Sequence, residues 1–236
     1  MRNSILFFLL FLFVTAYSQS YNQSSSRSRP GKFALGAILS PTISWLEVDH
    51  NNLSTDGATI TGGFGFVAEY NTGRFFSLVS GLNFIFPGGY VFDSSSMADN
   101  STKNNFRVNY SALEIPLLLR VNSRTFNNTS YYTQGGFSTA FRLASTEFHR
   151  AASFEHANIK TDITDLSKPI FVNFMAGFGA KFYSSKYYSL FAEVNYKNSL
   201  INMASDVGYL NAGRYPGSET PIILSGNMVF SVGVLF

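Results

Sequence analysis

Apolar and polar residues alternate along most of this chain with a period of two, the pattern of a strand with one apolar face. In the last stretch, Ile222, Leu224 and Phe230 share one parity, whereas Ser225 and Asn227 hold the other. The pattern predicts an all-β fold. Eight such runs follow one another, at about 33–45, 59–70, 75–91, 106–121, 130–144, 169–183, 187–200 and 221–236.

The links between these runs alternate between short and long. Such asymmetry is typical of outer-membrane barrels, which have tight periplasmic turns and extended external loops. Backbone groups in lipid must pair internally, so a spanning sheet must close on itself. The sequence therefore predicts a transmembrane antiparallel up-and-down β-barrel over residues 33–236, with eight strands favoured over ten. The short links are 71–74, 122–129 and 184–186, and the long polar ones are 46–58, 92–105, 145–168 and 201–220.

Composition agrees with a lipid-facing wall and excludes several other classes of protein. Aromatic residues make up 17% of the chain and charged residues 13%, against about 25% charged in soluble proteins. Beyond the N-terminus, no apolar run approaches the roughly 20 residues of a membrane helix. The lack of cysteine excludes disulfide scaffolds and thiolate metal sites. A net charge of +3 is too small and too scattered to indicate nucleic-acid binding, and no cofactor motif is present.

The N-terminal segment, residues 1–18, has the features of a cleaved signal peptide. Arg2 supplies the positive charge, residues 5–14 are apolar, and Ala16-Tyr17-Ser18 places small residues at the cleavage site. Residues 19–32 are rich in Ser, Gln and Asn and cannot form a core. We interpret them as a flexible periplasmic tail that acts as a spacer, in preference to a docking peptide or a contact with anionic lipid.

Charged residues within the runs fall on the parity opposite to the apolar one, which faces the lumen of a barrel. Narrow barrels are filled by side chains, and each unpaired buried ion costs several kcal/mol. Three acids and four bases nearly balance, so we expect an interior salt-bridge network with a structural role, in preference to a proton or solute path. The residues are Glu69, Glu114, Arg120, Arg142, Lys181, Glu193 and Lys197, accompanied by Asn83, Asn173 and Asn195.

The three histidines, His50, His149 and His156, all fall in predicted external loops. The last two suggest a Ser-His-acid hydrolase or a metal site, because small outer-membrane barrels include lipid-modifying enzymes. Catalysis requires a nucleophile and a base held rigidly within hydrogen-bond reach, and these candidates share one long loop without a strand-fixed member. We therefore expect no catalytic or metal site. The neighbouring candidates are Glu147, Ser153, Glu155, Asp162 and Asp165.

The chain closes on Phe236, with apolar residues at every second position before it. A C-terminal aromatic on an amphipathic strand resembles the sorting signal that the outer-membrane assembly machinery reads. We expect that machinery to be a partner through this strand.

The fourth run contains a specific motif, Tyr110-Ser111-Ala112-Leu113-Glu114-Ile115-Pro116-Leu117-Leu118-Leu119-Arg120. It resembles the "Y-x-x-L-E-I-P-L-L-L-K/R" stretch of the PorT-type outer-membrane β-barrel family. Since Pro116 removes a backbone donor, we expect a bulge or a distorted ladder there. The matching residues are Tyr110, Leu113, Glu114, Ile115, Pro116 and Arg120.

The resemblance implies a non-enzymatic outer-membrane component of a secretion apparatus of the type IX kind. We therefore expect an accessory subunit of a multi-protein envelope complex, for protein secretion or outer-membrane protein assembly, with outer-membrane lipid and other envelope proteins as partners. The alternatives are a stand-alone barrel of the adhesin or defence type, a small channel, and an outer-leaflet lipid-modifying enzyme.

Overall fold

The computed structural model describes residues 32–49, 53–93, 104–149, 159–164, 167–185, 187–204 and 221–236. The expected signal peptide and all of the expected tail except Lys32 lie outside these ranges. Within them, no helix is long and apolar enough to cross a membrane. The strands are β1 (Phe33–Leu39), β2 (Thr42–Asp49), β3 (Leu53–Thr61), β4 (Gly63–Asn71), β5 (Phe76–Ile85), β6 (Gly88–Asp93), β7 (Asn104–Asn122), β8 (Thr129–His149), β9 (Ile159–Asp162), β10 (Ile170–Tyr183), β11 (Ser189–Ser199) and β12 (Ile222–Leu235).

These strands build a closed antiparallel barrel with eight wall strands. Three wall strands are each divided in two, because β1 continues into β2, β3 into β4, and β5 into β6. The register against the neighbouring wall strands is continuous across each division, except between β3–β4 and β5–β6 themselves, where it shifts near Gly57. The other five are β7, β8, β10, β11 and β12, and β12 pairs with β1 to complete the ring. The predicted fold and strand number are confirmed.

The three divided wall strands break along one row, which we call the seam: Ser40-Pro41, Gly62 and Phe86-Pro87. Register places Pro41 beside Gly62, and Gly62 beside Phe86. Proline has no N–H to donate, so each proline removes a ladder hydrogen bond. Beside Pro41, the Thr42 hydroxyl donates to the Ser40 carbonyl at 3.0 Å. The seam explains why the first and third runs alternate less cleanly in sequence.

Two predicted long links are largely strand, so these loop boundaries were wrong. In place of the link at 46–58, β2 runs to Asp49 and β3 begins at Leu53. In place of the link at 145–168, β8 runs to His149, and β9 pairs antiparallel with its end. Strand segments beyond the lipid need no apolar face, so apolar alternation does not mark them.

The outer surface of the barrel is apolar. On β11, every second residue from Tyr188 to Tyr196 faces outward, a distance of about 27 Å along the strand. At a tilt of about 40° this length rises about 21 Å along the membrane normal, slightly less than the apolar band of roughly 25 Å that aromatic residues flank at both edges. Tyr70, Phe75 and Tyr187 are exposed near the short turns, as expected for one aromatic belt. Tyr183 is half-buried and shares the inward parity of Lys181, so it does not belong to that belt.

Pro116 interrupts the ladder between β5 and β7 without a bulge. Pairing is present at Ser80–Leu117 and at Asn83–Glu114 but skips the two positions between them. The Ser80 hydroxyl donates to the Pro116 carbonyl at 2.9 Å. The register shift of β7 against β8 lies higher, between Ser111 and Ala112.

Two apolar clusters pack inside the barrel. The lower cluster, near the short turns, contains Ile38, Val67, Val79, Leu118, Met175, Phe191 and Leu235. The upper cluster, towards the long loops, contains Leu46, Leu53, Val91, Val108, Tyr110, Ala112, Ala140, Ile163, Phe171, Met203, Ala204 and Ile223. Three of its members, Ile163, Met203 and Ala204, come from segments outside the wall and fill the upper lumen.

The upper lumen is narrow because β6 approaches β2 closely. The Gly88 N–H donates to Ser44 Oγ at 2.9 Å. A Cβ atom on Gly89 would lie 2.7 Å from the Leu46 backbone nitrogen. Only glycine fits there without displacing backbone.

Candidate functional site: the charged lumen

Arg120 is the centre of a buried polar network in the lower lumen. Its Nη1 donates to Glu69 Oε2 at 2.8 Å, and its Nη2 donates to Glu193 Oε2 at 3.0 Å. The Nε and Nη2 atoms also donate to Gln134 Oε1, at 2.9 and 2.7 Å. The guanidinium lies 3.9 Å from the ring centroid of Tyr132. Glu69, Glu193 and Gln134 thus all accept from the Arg120 guanidinium, because its planar group carries several N–H donors.

Lys181 completes this network from β10. Its Nζ donates to both oxygens of Glu69, at 2.6 and 2.8 Å. Glu193 is held further by the Tyr132 hydroxyl at 2.8 Å and by the Asn195 amide at 2.9 Å. The network therefore joins β4, β7, β8, β10 and β11 across the lumen.

A second ion pair lies higher in the lumen. Lys197 Nζ donates to Glu114 Oε1 and Oε2 at 3.0 and 3.2 Å. Glu114 Oε1 also accepts from Ser138 Oγ at 2.7 Å and from Asn173 Nδ2 at 3.3 Å. Three carboxylates and three cations are thus paired within the lumen, and this pairing offsets the cost of removing them from water.

Arg142, the seventh expected lumen charge, lies apart from these pairs. Its Nη1 donates to the carbonyls of Thr164 and Ser167, in the segment between β9 and β10. Its Nε is buried and has no hydrogen-bond partner among the described residues. Arg142 therefore binds a loop segment over the upper lumen, and among the described residues it makes none of the ion pairs in which it was expected.

The motif residues alternate between the two faces of β7. Tyr110, Glu114 and Arg120 are buried on the inward face, with Tyr110 edge-on to Phe171 at 6.0 Å. Ile115 is exposed on the outer face. Leu113, of the same parity, is partly exposed there.

The expected loop cluster is only partly described. His50, Ser153, Glu155, His156 and Asp165 lie outside the described residues. Glu147 and His149 belong to β8 rather than to a loop, and Glu147 is buried, whereas Asp162 is exposed at the end of β9. Placing Glu147 and His149 in an external loop was wrong, for the reason given above for strands beyond the lipid.

Among the described residues, no group of three His, Cys, Asp or Glu side chains is placed to hold a metal ion. The six lumen charges form ion pairs with one another, and each carboxylate accepts at least two hydrogen bonds. Chemically, the arrangement fixes the relative positions of the strands that carry it and blocks the lower lumen with side chains.

Three residues of the network, Tyr132, Gln134 and Ser138, were missed by sequence reasoning. All three lie on β8 with the inward parity. Neutral polar residues carry no charge that must be paired, so the charge argument did not select them. Their inward parity on β8 is the sequence signal that identifies them.

Phe236 closes the ring through its backbone. Its N–H donates to the Leu35 carbonyl at 2.8 Å, and its carbonyl accepts from the Leu35 N–H at 3.2 Å. The side chain is exposed on the outer surface.

Comparison with known proteins gives one family match and several similar solved structures. Residues 17–205 match the family model described as the outer membrane protein beta-barrel domain. A search among curated protein sequences finds no significant match. Among solved structures, the chain is similar to neisserial surface protein A (NspA), with 10% identity, coverage of 87% of this chain and 98% of that one, and a TM-score of 0.43. It is also similar to the outer membrane protease OmpT of Escherichia coli, with 9% identity, coverage of 90% and 99%, and a TM-score of 0.45. The attachment invasion locus protein Ail of Yersinia pestis shows 11% identity, coverage of 87% and 99%, and a TM-score of 0.37.

Proposed function

The chain belongs to the outer membrane protein beta-barrel domain family, and from this premise we propose that it is a non-enzymatic accessory subunit of a larger envelope complex, for protein secretion or outer-membrane protein assembly. The protein is an integral barrel of the outer membrane. The resemblance of residues 110–120 to the PorT-type family supports the secretion setting.

The observation that carries this proposal is the closed lumen. Ion pairs hold the lower half and apolar side chains fill the upper half. A barrel whose lumen is filled in this way by the described residues acts through its wall and its loops, and long loops often bear binding sites. Other envelope proteins and outer-membrane lipid are the partners that such surfaces suit.

The test is purification from native membranes in mild detergent, with an affinity tag in the tail at residues 19–32 and mass spectrometry of the co-purifying proteins. We expect a stoichiometric set of larger envelope proteins. A second small barrel from the same membrane, carrying the same tag, is the control. A lone, monodisperse barrel would contradict the subunit role.

Pore formation gives an independent check. We expect no unitary conductance when the purified barrel is inserted in a planar bilayer, because the lower lumen is blocked by paired side chains. Discrete channel openings would favour the small-channel alternative.

The lipid-modifying alternative is tested at the histidines. We expect His149→Ala and His156→Ala to leave the lipid profile of the membrane unchanged. Loss of a modified lipid species in either variant would show enzymatic activity.

The C-terminal strand is proposed to address the chain to the outer-membrane assembly machinery. We expect Phe236→Ala to lower the amount of folded barrel in the membrane, measured as the form whose gel mobility changes on heating. Leu39→Ala on β1 is the matched control, since it removes an exposed apolar side chain that pairs with Val232 and not with the terminal residue. An equal loss in both variants would count against a terminal signal.

A second candidate, a stand-alone adhesin, is favoured by the length of two strands. β7 has 19 residues and β8 has 21, whereas about 9–11 suffice to cross a membrane. This hairpin therefore extends well past the lipid. Whole-cell adhesion that is lost when residues 150–158 are replaced by a Gly-Ser linker of equal length would favour the adhesin over the subunit.

A further inference from the structure

A cavity of about 60 Å³ lies inside the barrel beside the seam; we call it the chamber. It has an apolar side and a polar side, and the Glu114–Lys197 ion pair lies on the polar side. Pro87 and Ile85 line it on the side of the upper cluster. Its other inward-facing residues include Ile38, Val67, Val79, Thr61, Asn83 and Asn227.

Three oxygen acceptors of the chamber residues have no hydrogen-bond donor among the residues that the structure describes. They are Thr61 Oγ1, Asn83 Oδ1 and Asn227 Oδ1, each buried. Asn227 as a whole is only 2% exposed. Buried polar atoms are almost always paired with protein or with ordered water, so these three atoms mark a site that takes hydrogen-bond donors.

The chemistry of the chamber selects a neutral donor. Lys197 and Glu114 form an ion pair with each other, so neither leaves an unpaired charge that would bind a free ion. The cavity is too small for a drug-sized ligand but has room for several water molecules, which need two to four polar partners each. Water is the molecule that fits both the volume and the acceptors.

The seam offers this water a route through the wall. The residues lining the chamber include Gly62, Phe64 and Phe86, which have the outward parity, so the chamber reaches the wall itself. A Cβ atom on Gly62 would meet only the Ser40 carbonyl oxygen, at 3.7 Å. The seam lies about 30 Å along β4 from the short turn, near the upper edge of a band roughly 25 Å tall, where lipid headgroups and water begin.

We propose that the chamber is a water-binding site inside the barrel and that its water exchanges with the outside through the seam. The proposal is independent of the accessory role, because it concerns the lumen and not the partner surfaces.

The first test uses the sign of a stability change. Thr61→Val keeps the shape of the side chain and removes the unpaired hydroxyl. If water binds there, the variant loses a hydrogen bond and its urea midpoint falls. Thr42→Val, which removes a direct bond to the Ser40 carbonyl, gives the scale of such a loss. A midpoint that rises in Thr61→Val would show a dry chamber and overturn the proposal.

The second test uses the absence of cysteine from the chain. Thr61→Cys places the only thiol in the chamber, and Ag⁺, a water-sized ion that binds thiolates, is applied to barrels in lipid vesicles. Thiols that bound Ag⁺ are then counted as those protected from alkylation after unfolding. Ala112→Cys, buried in the upper cluster, is the control. We expect reaction at residue 61 to be about tenfold faster or more, because residue 112 is reached only by local unfolding.

The third test closes the route. Gly62→Leu in the Thr61→Cys background places a side chain outward over the seam, and we expect the Ag⁺ reaction to slow about tenfold, towards the rate set by local opening. Gly73→Leu, in an open turn with no atom near its Cβ position, should leave the rate unchanged. Equal rates at residues 61 and 112 would overturn the hydrated chamber. A fast rate that Gly62→Leu does not change would overturn the seam as its route.

Discussion

The lower and upper halves of the lumen are closed by different chemistry. In the lower half, six charged side chains from four wall strands, β4, β7, β10 and β11, pair across the barrel and are joined by neutral polar residues of β8. In the upper half, apolar side chains fill the space, together with two segments from outside the wall. Ion pairs specify which strands meet, because a slipped register would leave a buried charge alone, whereas apolar packing tolerates exchange of similar shapes. We expect the lower half to fix the register and the upper half to supply stability by burial.

The largest expected loss of stability comes from removing the central cation of the lower lumen, Arg120. Arg120→Met leaves Glu69 with Lys181 alone and strips Glu193 and Gln134 of their cation, so the free energy of unfolding falls by about 3–5 kcal/mol. The measurement is urea unfolding in lipid vesicles, followed by fluorescence of the single tryptophan, Trp45. Arg124→Met, at an exposed turn, is the control. Equal stability of the two variants would mean that the network is not needed.

In the upper half, the corresponding change is Leu46→Ala, which opens a cavity in a fully buried position. The expected loss in the free energy of unfolding is about 2–5 kcal/mol. Leu39→Ala on the same wall strand removes an identical side chain from the outer face and should cost less. The same urea titration decides, and a larger loss at residue 39 would refute tight packing of the upper lumen.

A change at Gly89 tests the close approach of β6 to β2. Gly89→Ala places a methyl group against the Leu46 backbone, and we expect a loss of about 1–3 kcal/mol in the free energy of unfolding. Gly73→Ala meets no neighbouring atom and should stay within about 0.5 kcal/mol of the parent. An unchanged free energy of unfolding in Gly89→Ala would show that the backbone at Leu46 moves aside at little cost.

The smallest expected loss of stability comes from replacing the Glu114–Lys197 ion pair by uncharged side chains. Lys197→Met alone leaves Glu114 without its cation and should destabilise the barrel. Adding Glu114→Gln keeps acceptors for Ser138 and Asn173 while removing the charge. We expect the double variant to lie within about 1 kcal/mol of the parent, since buried pairs are often replaced at little cost. A double-mutant cycle measures the coupling between Glu114 and Lys197 in the free energy of unfolding. If the losses of the two single variants simply add, the two residues are not coupled.

Period-two alternation predicted the wall strands well, because lipid on one side and a filled lumen on the other impose opposite chemistry on successive residues. The same rule placed Glu69, Glu114 and Lys181 inside. It did not separate Arg142 from the ion pairs, because its partners are loop carbonyls that no side-chain pattern encodes. The polar ends of β2 and β8 were also missed, since no lipid constrains them.

The contact between Phe236 and Leu35 has a consequence for the folding pathway. This pairing is part of the contact between β12 and β1, the last and first wall strands that the structure describes, so the ring cannot close before β12 has been made. Contacts of such long sequence separation form late and slowly. Until then, β1 and β12 each present an unpaired edge, which is prone to misassociation with other chains. The unfolded chain therefore has to be kept apart from its neighbours until β12 pairs with β1.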